Sequence, residues 1–151
     1  MPTTWIVAAD ASRARFLQVA DRERLVEVED FVNPEGRLHN REINSDAKGR
    51  FRGPDRPGGH SSDDEERTVD HYNELFAKRV AGYLDKARTD GRYDQLVLVA
   101  APKVLGMMRK ELGKEVEKCV IDELDKDLSW FNARDLQRYL SDFAKGSGRA
   151  P

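Results

Sequence analysis

The residues best suited to chemistry lie between Lys48 and His60, where basic side chains alternate with glycines around one aromatic ring. Glycines let backbone amides approach a phosphate, arginines bind it with paired hydrogen bonds, and an aromatic ring stacks on a base. This combination predicts a site for RNA or another phosphate-bearing ligand. The predicted RNA- or phosphate-binding residues are Lys48, Arg50, Phe51, Arg52, Arg56, Gly58, Gly59 and His60. The spacing alone favours a solvated, disordered loop, which is the alternative interpretation.

Carboxylates form a second set of candidates, because nuclease chemistry needs several of them to converge on two Mg²⁺ ions. Asp10 follows the first predicted strand and could supply one of these groups. The predicted central strand ends at Pro102 without a second acid, and the acidic run 122–127 is typical of a solvated face. We therefore expect Asp10 to serve in a turn or cap. A hydrolase or nuclease that uses Asp10 or His60 stays an alternative.

The histidines, the cysteine and the known catalytic motifs give no indication of a metal or cofactor site. The chain has three histidines and one cysteine, which leaves little for a protein-only zinc site. It has no P-loop, no nucleophile elbow and no C-x-x-C motif. We expect no metal, no cofactor and a binding protein rather than an enzyme, with His60 as the catalytic candidate if the loop does chemistry. Trp5 and Trp130 are expected in the core or at its edge.

Composition narrows the class of protein. The length of 151 residues suits one domain, and 38% hydrophobic against 36% charged residues allows a core beneath a highly charged surface. The net charge of −2 argues against a surface that is entirely a nucleic-acid footprint, but it permits a local basic patch. The lone Cys119 fits a reducing compartment, and neither a leader segment nor a membrane-spanning run is recognisable. We expect a cytoplasmic protein without membrane insertion.

The first third of the chain predicts three strands. They cover Thr3–Asp10, Ala14–Asp21 and Arg24–Val32, and their short connections favour an antiparallel meander. In the third strand, the alternation of apolar and polar residues predicts Val28 on one face of the sheet and Phe31 on the other.

A long segment without periodicity follows, and after it comes the strongest helix pattern of the sequence. Residues 33–61 predict a loop, and we expect Gly36–Ser61 to be poorly ordered because its glycines and prolines leave it little to bury. The S-x-x-E pattern at residues 62–65 is a capping box. The helix should run to about Arg88. Leu75 and Leu84 should widen its apolar stripe, which consists of Val69, Tyr72, Phe76, Val80, Tyr83 and Ala87.

The last third of the chain alternates strands and helices. Asp94–Ala101 is a continuous apolar run, which is typical of an internal strand covered on both faces. Pro102 opens the next helix at its first turn, and Asn132 caps a final helix. Lys118–Leu124 favours a last strand, and a continuation of the preceding helix is the alternative.

The order of elements, β-β-β-α-β-α-β-α, predicts an α/β fold. The expected architecture is a three-layer sandwich around a mixed five-stranded sheet, of the ribonuclease H-like kind. We expect residues 1–145 to form a single domain that carries the long loop at 33–61, and residues 146–151 to form a flexible tail.

Three blocks of sequence carry a resemblance to a known family. They read WIVAADASRARFL near the start, LVLVAAPKVLGMMRKEL in the middle and VIDELDKDLSWFNARDLQRYL near the end. With these blocks the chain resembles, over nearly its whole length, the bacterial family of proteins required for attachment to host cells. That family is similar to the middle domain of the archaeal and eukaryotic class-1 peptide release factors, which has a ribonuclease H-like fold.

The resemblance implies a role for the glycine-rich loop. In the release factors a Gly-Gly-Gln loop leads into a long helix and enters the peptidyl-transferase centre of the ribosome, where it promotes hydrolysis of peptidyl-tRNA. This sequence has Gly58-Gly59-His60 in the corresponding place, with histidine instead of glutamine, and it shows no codon-reading domain. The resemblance therefore implies a protein that binds RNA or the ribosome. The alternatives are a cytoplasmic protein-interaction module with a protein partner, and the hydrolase or nuclease described above.

Overall fold

Five strands and four α-helices lie in the parts of the chain that the computed structural model describes, residues 2–33 and 61–146. The strands are β1 (Thr4–Ala9), β2 (Arg13–Val19), β3 (Leu25–Val32), β4 (Gln95–Ala100) and β5 (Val120–Leu124). The helices are α1 (Ser61–Thr89), α2 (Pro102–Glu111), α3 (Lys114–Glu117) and α4 (Ala133–Gly146). Side chains are described for residues 2–33 and 71–141. The predicted loop and the predicted tail residues 147–151 therefore lie outside the described residues, and the side chains of the predicted capping box lie outside the described side chains.

The strands form one mixed sheet in the order β3-β2-β1-β4-β5. The pairs β1–β2 and β2–β3 are antiparallel, while β1–β4 and β4–β5 are parallel. The predicted mixed five-stranded sheet is thus confirmed, and so is the internal position of the strand after α1. The apolar run of this strand, β4, is unbroken because β4 lies between β1 and β5 and its side chains enter the cores on both faces of the sheet.

Helices cover both faces of this sheet. Alternate residues of β1 enter opposite cores, because successive side chains of a strand point to opposite faces. Trp5 lies in the first core, together with residues of α1, α2 and α3, and Ile6 lies in the second core, together with residues of α4. The result is an α/β structure of three layers, helices–sheet–helix, with the polar ends of the strands left at the rims.

A β-bulge in β3 overturns one prediction. The pairing of β2 with β3 shifts between Phe16 and Leu17, and Val28 is the extra residue. One extra residue reverses the alternation of faces beyond it. Val28 and Phe31 consequently pack against the same first core, and the rings of Phe31 and Phe16 meet edge to face at 5.3 Å between centroids. The expectation that Val28 and Phe31 lie on opposite faces was wrong.

Helix α1 buries most of the predicted stripe, including Phe76, Val80 and Ala87, but not Leu75. Leu84 is buried as expected, but Leu75 is 47% exposed. At 3.6 residues per turn, Leu75 lies about 140° around the helix axis from the buried Val80. Asn73 and Ala77 occupy the buried face instead. The helix ends at Thr89, and Gly91 follows with a positive φ of 74°, a conformation that glycine adopts without strain.

The later elements follow the predictions closely. Pro102 is the first residue of α2, and β5 is a strand. Asn132 caps α4, since its Oδ1 accepts a hydrogen bond from the backbone N–H of Asp135 at 2.8 Å. The short helix α3, which follows Gly113 and buries Val116, was not predicted.

Candidate functional site

Asp10 closes the turn between β1 and β2. Its Oδ1 accepts hydrogen bonds from the backbone N–H groups of Ser12 and Arg13, at 2.7 and 2.8 Å, and from the Ser12 hydroxyl at 2.9 Å. The backbone N–H of Asp10 donates to the Arg13 carbonyl at 2.9 Å. The expected turn role of Asp10 is confirmed. An oxygen that already accepts three hydrogen bonds is a poor metal ligand or base, because those donors would have to be released first.

Ser129 links this turn to the segment that follows β5. Its side chain is fully buried, and its Oγ lies 2.9 Å from Asp10 Oδ2 and 2.8 Å from Asp127 Oδ1. A hydroxyl has one proton, so only one of the two carboxylates can accept it at a time. The Ser129 backbone N–H also donates to Asp127 Oδ1 at 3.2 Å. The arrangement holds two loops together.

No group of three or more histidine, cysteine or acidic side chains suitable for a metal occurs among the described residues. The described carboxylates therefore do not assemble the convergent cluster that a two-metal nuclease requires.

Arg15 is a buried cation beneath the same end of the sheet. Its Nη1 donates to the backbone carbonyls of Ser129, at 3.0 Å, and of Phe131. Its Nε donates to Glu27 Oε1 at 2.7 Å. The planar guanidinium therefore satisfies two carbonyls and one carboxylate at once, which a lysine ammonium on a flexible stem would not reproduce. Arg15 ties β2 both to β3 and to the segment before α4.

The outer surface at this end carries an exposed aromatic side chain. Trp130 is 66% exposed, and the guanidinium of Arg13 lies 5.7 Å from the centre of its ring. Arg13 also forms a salt bridge of 2.5 Å with Asp30. The expectation that Trp130 belongs to the core or its edge was wrong, whereas Trp5 is buried as expected. Trp130 projects outward because its neighbours Leu128 and Ser129 take the buried positions.

Asn33 fixes the point at which the chain leaves β3. Its backbone N–H donates to the Ser12 carbonyl at 2.8 Å, and its side-chain Nδ2 donates to the Ala11 carbonyl at 2.9 Å. The chain therefore enters residues 34–60 beside the Asp10 turn, and it returns as α1 at Ser61. The predicted binding residues, Lys48, Arg50, Phe51, Arg52, Arg56, Gly58, Gly59 and His60, all lie outside the described residues.

A narrow apolar cleft opens between α1 and α2, where β1 ends. Its interior admits little more than one water molecule. The lining includes Ala9 and Asp10 of the sheet end, Asn73 and Phe76 of α1, and Met107 of α2. Asp10 thus borders both the turn network and the cleft.

Comparisons with known proteins place the chain in a family. A family model described as "Protein required for attachment to host cells" matches residues 5–140. The chain belongs to this family. An uncharacterized protein of Rickettsia prowazekii (strain Madrid E) is 36% identical to this host-attachment family member over 64 residues, which are 41% of this chain and 43% of that protein.

A solved structure of an archaeal protein is also similar to this chain. It is 12% identical and superposes with a TM-score of 0.44, over 97% of this chain and 41% of that chain. The match with the host-attachment family member therefore covers less than half the length of each of these two proteins.

Sequence reasoning missed three residues of this end of the host-attachment protein, Arg15, Asn73 and Ser129, and it misplaced Trp130. The contact of Arg15 with Ser129 spans 114 positions of sequence, and no local pattern encodes such a distance. A signal did exist for Arg15, since a charged residue inside the apolar run ARFL predicts a buried charge that needs partners. In the part of the protein that the structure describes, no helix is both long and apolar enough to span a bilayer.

Proposed function

We propose that this member of the host-attachment family binds RNA or the ribosome through Lys48–His60. The observation that carries the proposal is local charge: this stretch has four lysine or arginine residues and one acid, in a chain whose net charge is −2. Clustered arginines beside glycines and one phenylalanine favour contacts with phosphates and stacking on a base. The proposed contacts come from Lys48, Arg50, Phe51, Arg52, Arg56, Gly58, Gly59 and His60.

The described ends of the segment support this proposal. Asn33 is anchored beside the Asp10 turn, and the first buried side chain described on α1, that of Asn73, lines a cleft with Ala9 and Asp10. The helical backbone from Ser61 to Asn73 spans about 18 Å at 1.5 Å per residue. Both connections of the segment thus lead to one end of the sheet, and α1 extends beyond that end. This geometry suits a loop that reaches a large partner.

A ribonuclease H-like fold, similar to the release-factor middle domain, belongs to the same proposal. Its support is the strand order β3-β2-β1-β4-β5, with an antiparallel meander followed by two parallel strands. We also infer one domain over residues 1–145 and a cytoplasmic location. The support for that location is the lone Cys119, which has no second cysteine in this sequence to pair with.

Binding measured over a salt series tests the proposal. The triple variant Arg50→Ala, Arg52→Ala, Arg56→Ala should bind single-stranded RNA and purified ribosomes more weakly than the wild type. Its slope of log affinity against log salt should be lower by up to about 0.7 for each phosphate that the variant no longer neutralises. His60→Ala should keep most of the affinity, because a neutral imidazole adds little charge.

A matched control removes the same charge from the described surface. Arg24, Arg134 and Arg138 are exposed, so their joint replacement by alanine should leave binding and its salt slope nearly unchanged. The proposal fails if the wild type does not bind at low salt, or if both triple variants lose affinity alike.

A protein-interaction module is the second candidate, and the exposed Trp130 favours it. Tryptophan and arginine are enriched at the centres of protein interfaces, and Arg13 lies against this ring. A photo-crosslinking residue at position 130 should then capture a protein in cells, and the purified protein should not bind RNA at low salt. Capture of ribosomal RNA alone would contradict this second candidate.

A further inference from the structure

Two exposed arginines lie against aromatic rings on the side of the sheet that α1 covers. The guanidinium of Arg79 is 4.3 Å from the centre of the Phe31 ring. That of Arg92 is 5.0 Å from the centre of the Trp5 ring and 5.8 Å from that of Tyr83. The salt bridges among the described side chains use other lysines and arginines. Within the described part of the chain, both cations therefore have aromatic neighbours instead of carboxylates.

These side chains form a continuous surface, the arginine strip, which consists of Phe31, Arg79, Tyr83 and Arg92. Tyr83 follows Arg79 by four positions on α1, so the two lie on one side of the helix, about 6 Å apart along its axis. The rings of Phe31 and Tyr83 are 5.0 Å apart between centroids. Arg92 Nη1 donates a hydrogen bond to the Tyr83 hydroxyl at 3.0 Å. The strip thus runs from the end of β3 to the turn that follows α1.

The strip has one acidic neighbour on the sheet, Glu29. It pairs with Phe16 across β2 and β3, so its side chain points to the same face as that of Phe31. It forms no salt bridge with a described arginine. Asp85 and Asp90, near the end of α1, pair with basic residues of their own segment. The cationic character of the strip is therefore reduced by Glu29 but not neutralised.

The chemistry of the strip fits single-stranded RNA. A ring on one side of a guanidinium fixes its position, and because both arginines are exposed, their outer sides stay open to solvent. Unpaired bases of RNA stack on guanidinium planes, and arginine N–H groups bind phosphates with paired hydrogen bonds. Side chains that are held in place before binding lose less entropy on binding. An acidic peptide would use the charges of the strip but not its stacking surfaces.

The strip begins where the chain leaves the sheet toward the proposed RNA-binding segment. Arg79 Nη1 donates to the carbonyl of Val32, the last residue of β3, at 3.4 Å. We propose that Arg79 and Arg92 bind the continuation of an RNA strand held by Lys48–His60. Each guanidinium binds one phosphate at its edge and stacks on a base with its outer side. This inference rests on the proposed function, because two phosphate contacts alone bind RNA only weakly.

Binding of a fluorescein-labelled oligouridylate over a salt series tests the strip. The double variant Arg79→Ala, Arg92→Ala should bind the strand about 10-fold more weakly than the wild type, because two phosphate contacts and the stacking are lost. Its slope of log affinity against log salt should fall by up to about 0.7 for each lost phosphate contact. Arg79→Lys, Arg92→Lys should restore the slope but not the full affinity, because an ammonium keeps the charge and does not stack.

Two further variants separate the strip from net charge. Glu29→Gln should strengthen binding, because it removes the negative charge beside the strip. Arg134→Ala, Arg138→Ala removes two exposed arginines from α4, on the opposite face of the sheet, and should leave affinity and slope nearly unchanged. Urea unfolding of every variant verifies that it is folded under the assay conditions. If the double alanine variant does not fold, the lysine variant and Glu29→Gln still decide the proposal.

The outcomes distinguish this inference from the proposed function. If the wild type does not bind the strand at low salt, both fail together. If the wild type binds and the double alanine variant binds equally well with the same slope, the proposed function stands and the strip inference is wrong. The two arginines would then only cover the aromatic rings. An equal loss of affinity in the α4 variant would also overturn the inference, since net charge alone would then explain the effect.

Discussion

Arg13 and Arg15 show how position decides the energetic value of one residue type. They lie two positions apart in β2, on the same face of the sheet, because side chains repeat with a period of two. The Arg15 side chain is 5% exposed and satisfies two backbone carbonyls, whereas that of Arg13 is 27% exposed and meets Asp30 at the surface. Exposed ion pairs contribute little, but a buried carbonyl that loses its donor is costly.

We therefore predict different effects for the same conservative change at these two positions. Arg15→Lys should lower the free energy of unfolding by about 1–3 kcal/mol, because an ammonium cannot reach both carbonyls and Glu27 together. Arg13→Lys should change it by less than about 0.5 kcal/mol. Urea denaturation of both variants measures this difference. Equal losses would mean that the contacts of Arg15 with Ser129 and Phe131 do not stabilise the fold.

Tyr93 gives the stability of the protein a dependence on alkaline pH. Its hydroxyl donates to the buried carbonyl of Leu84 at 2.6 Å, and burial raises its pKa above the ordinary value of 10.0. The folded state therefore holds the proton more tightly than the unfolded state does. This contribution is complete below about pH 10 and is lost as the pH rises toward the folded-state pKa.

Replacement of Tyr93 by phenylalanine should remove that dependence. At pH 7, Tyr93→Phe should be less stable by about 1 kcal/mol, because the Leu84 carbonyl loses its donor. Above pH 10 the gap between wild type and variant should narrow, because the unfolded wild type loses the phenolic proton and is stabilised by it, while the folded protein keeps the proton. Chemical denaturation at a series of pH values checks this. A gap that stays constant from pH 7 to pH 11 would contradict the assignment.

Among the elements, strands with a simple environment were predictable and those with an irregularity were not. The strand Gln95–Ala100 was predicted from its apolar run, and the run is apolar throughout because the strand contributes side chains to the cores on both faces of the sheet. The faces of β3 were not, because the bulge at Val28 depends on pairing with β2 rather than on the pattern VEVEDFV. Helix α3 was missed for a similar reason, since one turn has no periodicity to recognise.

Two leucines of helix α1 provide a direct test of which side of the helix is buried. Leu84→Ala should destabilise the protein by about 2–5 kcal/mol, because Leu84 is fully buried in the first core. Leu75→Ala should cost less than about 0.5 kcal/mol, since that side chain is exposed on the far side of the helix. Thermal or urea unfolding of the two variants compares identical chemical changes on one helix. A loss of stability in Leu75→Ala as large as that in Leu84→Ala would mean that Leu75 is buried as well.

At the scale of the whole molecule, the sequence predicted the framework better than the site. The order of elements is enough to predict that β4 runs parallel to β1 and that α1 connects them across one face of the sheet, because parallel strands need helical crossovers. The network of Asp10, Arg15 and Ser129 could not be found in this way, since it joins loops that are 114 to 119 positions apart. The binding role of Lys48–His60 stays a prediction from charge and composition.

Removal of Lys48–His60 should separate binding from folding. Both faces of the sheet are covered by described residues, and the two core clusters that the described residues form extend from Trp5 to Leu140. If residues 34–60 form the poorly ordered loop that the sequence predicts, halving its length changes the loop-closure free energy by only about 0.6 kcal/mol. The shortened protein should therefore unfold cooperatively, with a stability within about 1 kcal/mol of the wild type.

The same variant should no longer bind RNA or ribosomes at any salt concentration, since the proposed binding groups are absent while the fold remains. Urea denaturation and ribosome co-sedimentation on one preparation measure the two properties together. If the folded variant still binds, the binding site lies on the described surface instead. The exposed Trp130 and the neighbouring Arg13 would then be the next residues to replace. Loss of the cooperative transition would instead mean that residues in this stretch complete the core, because nothing else in the chain was changed.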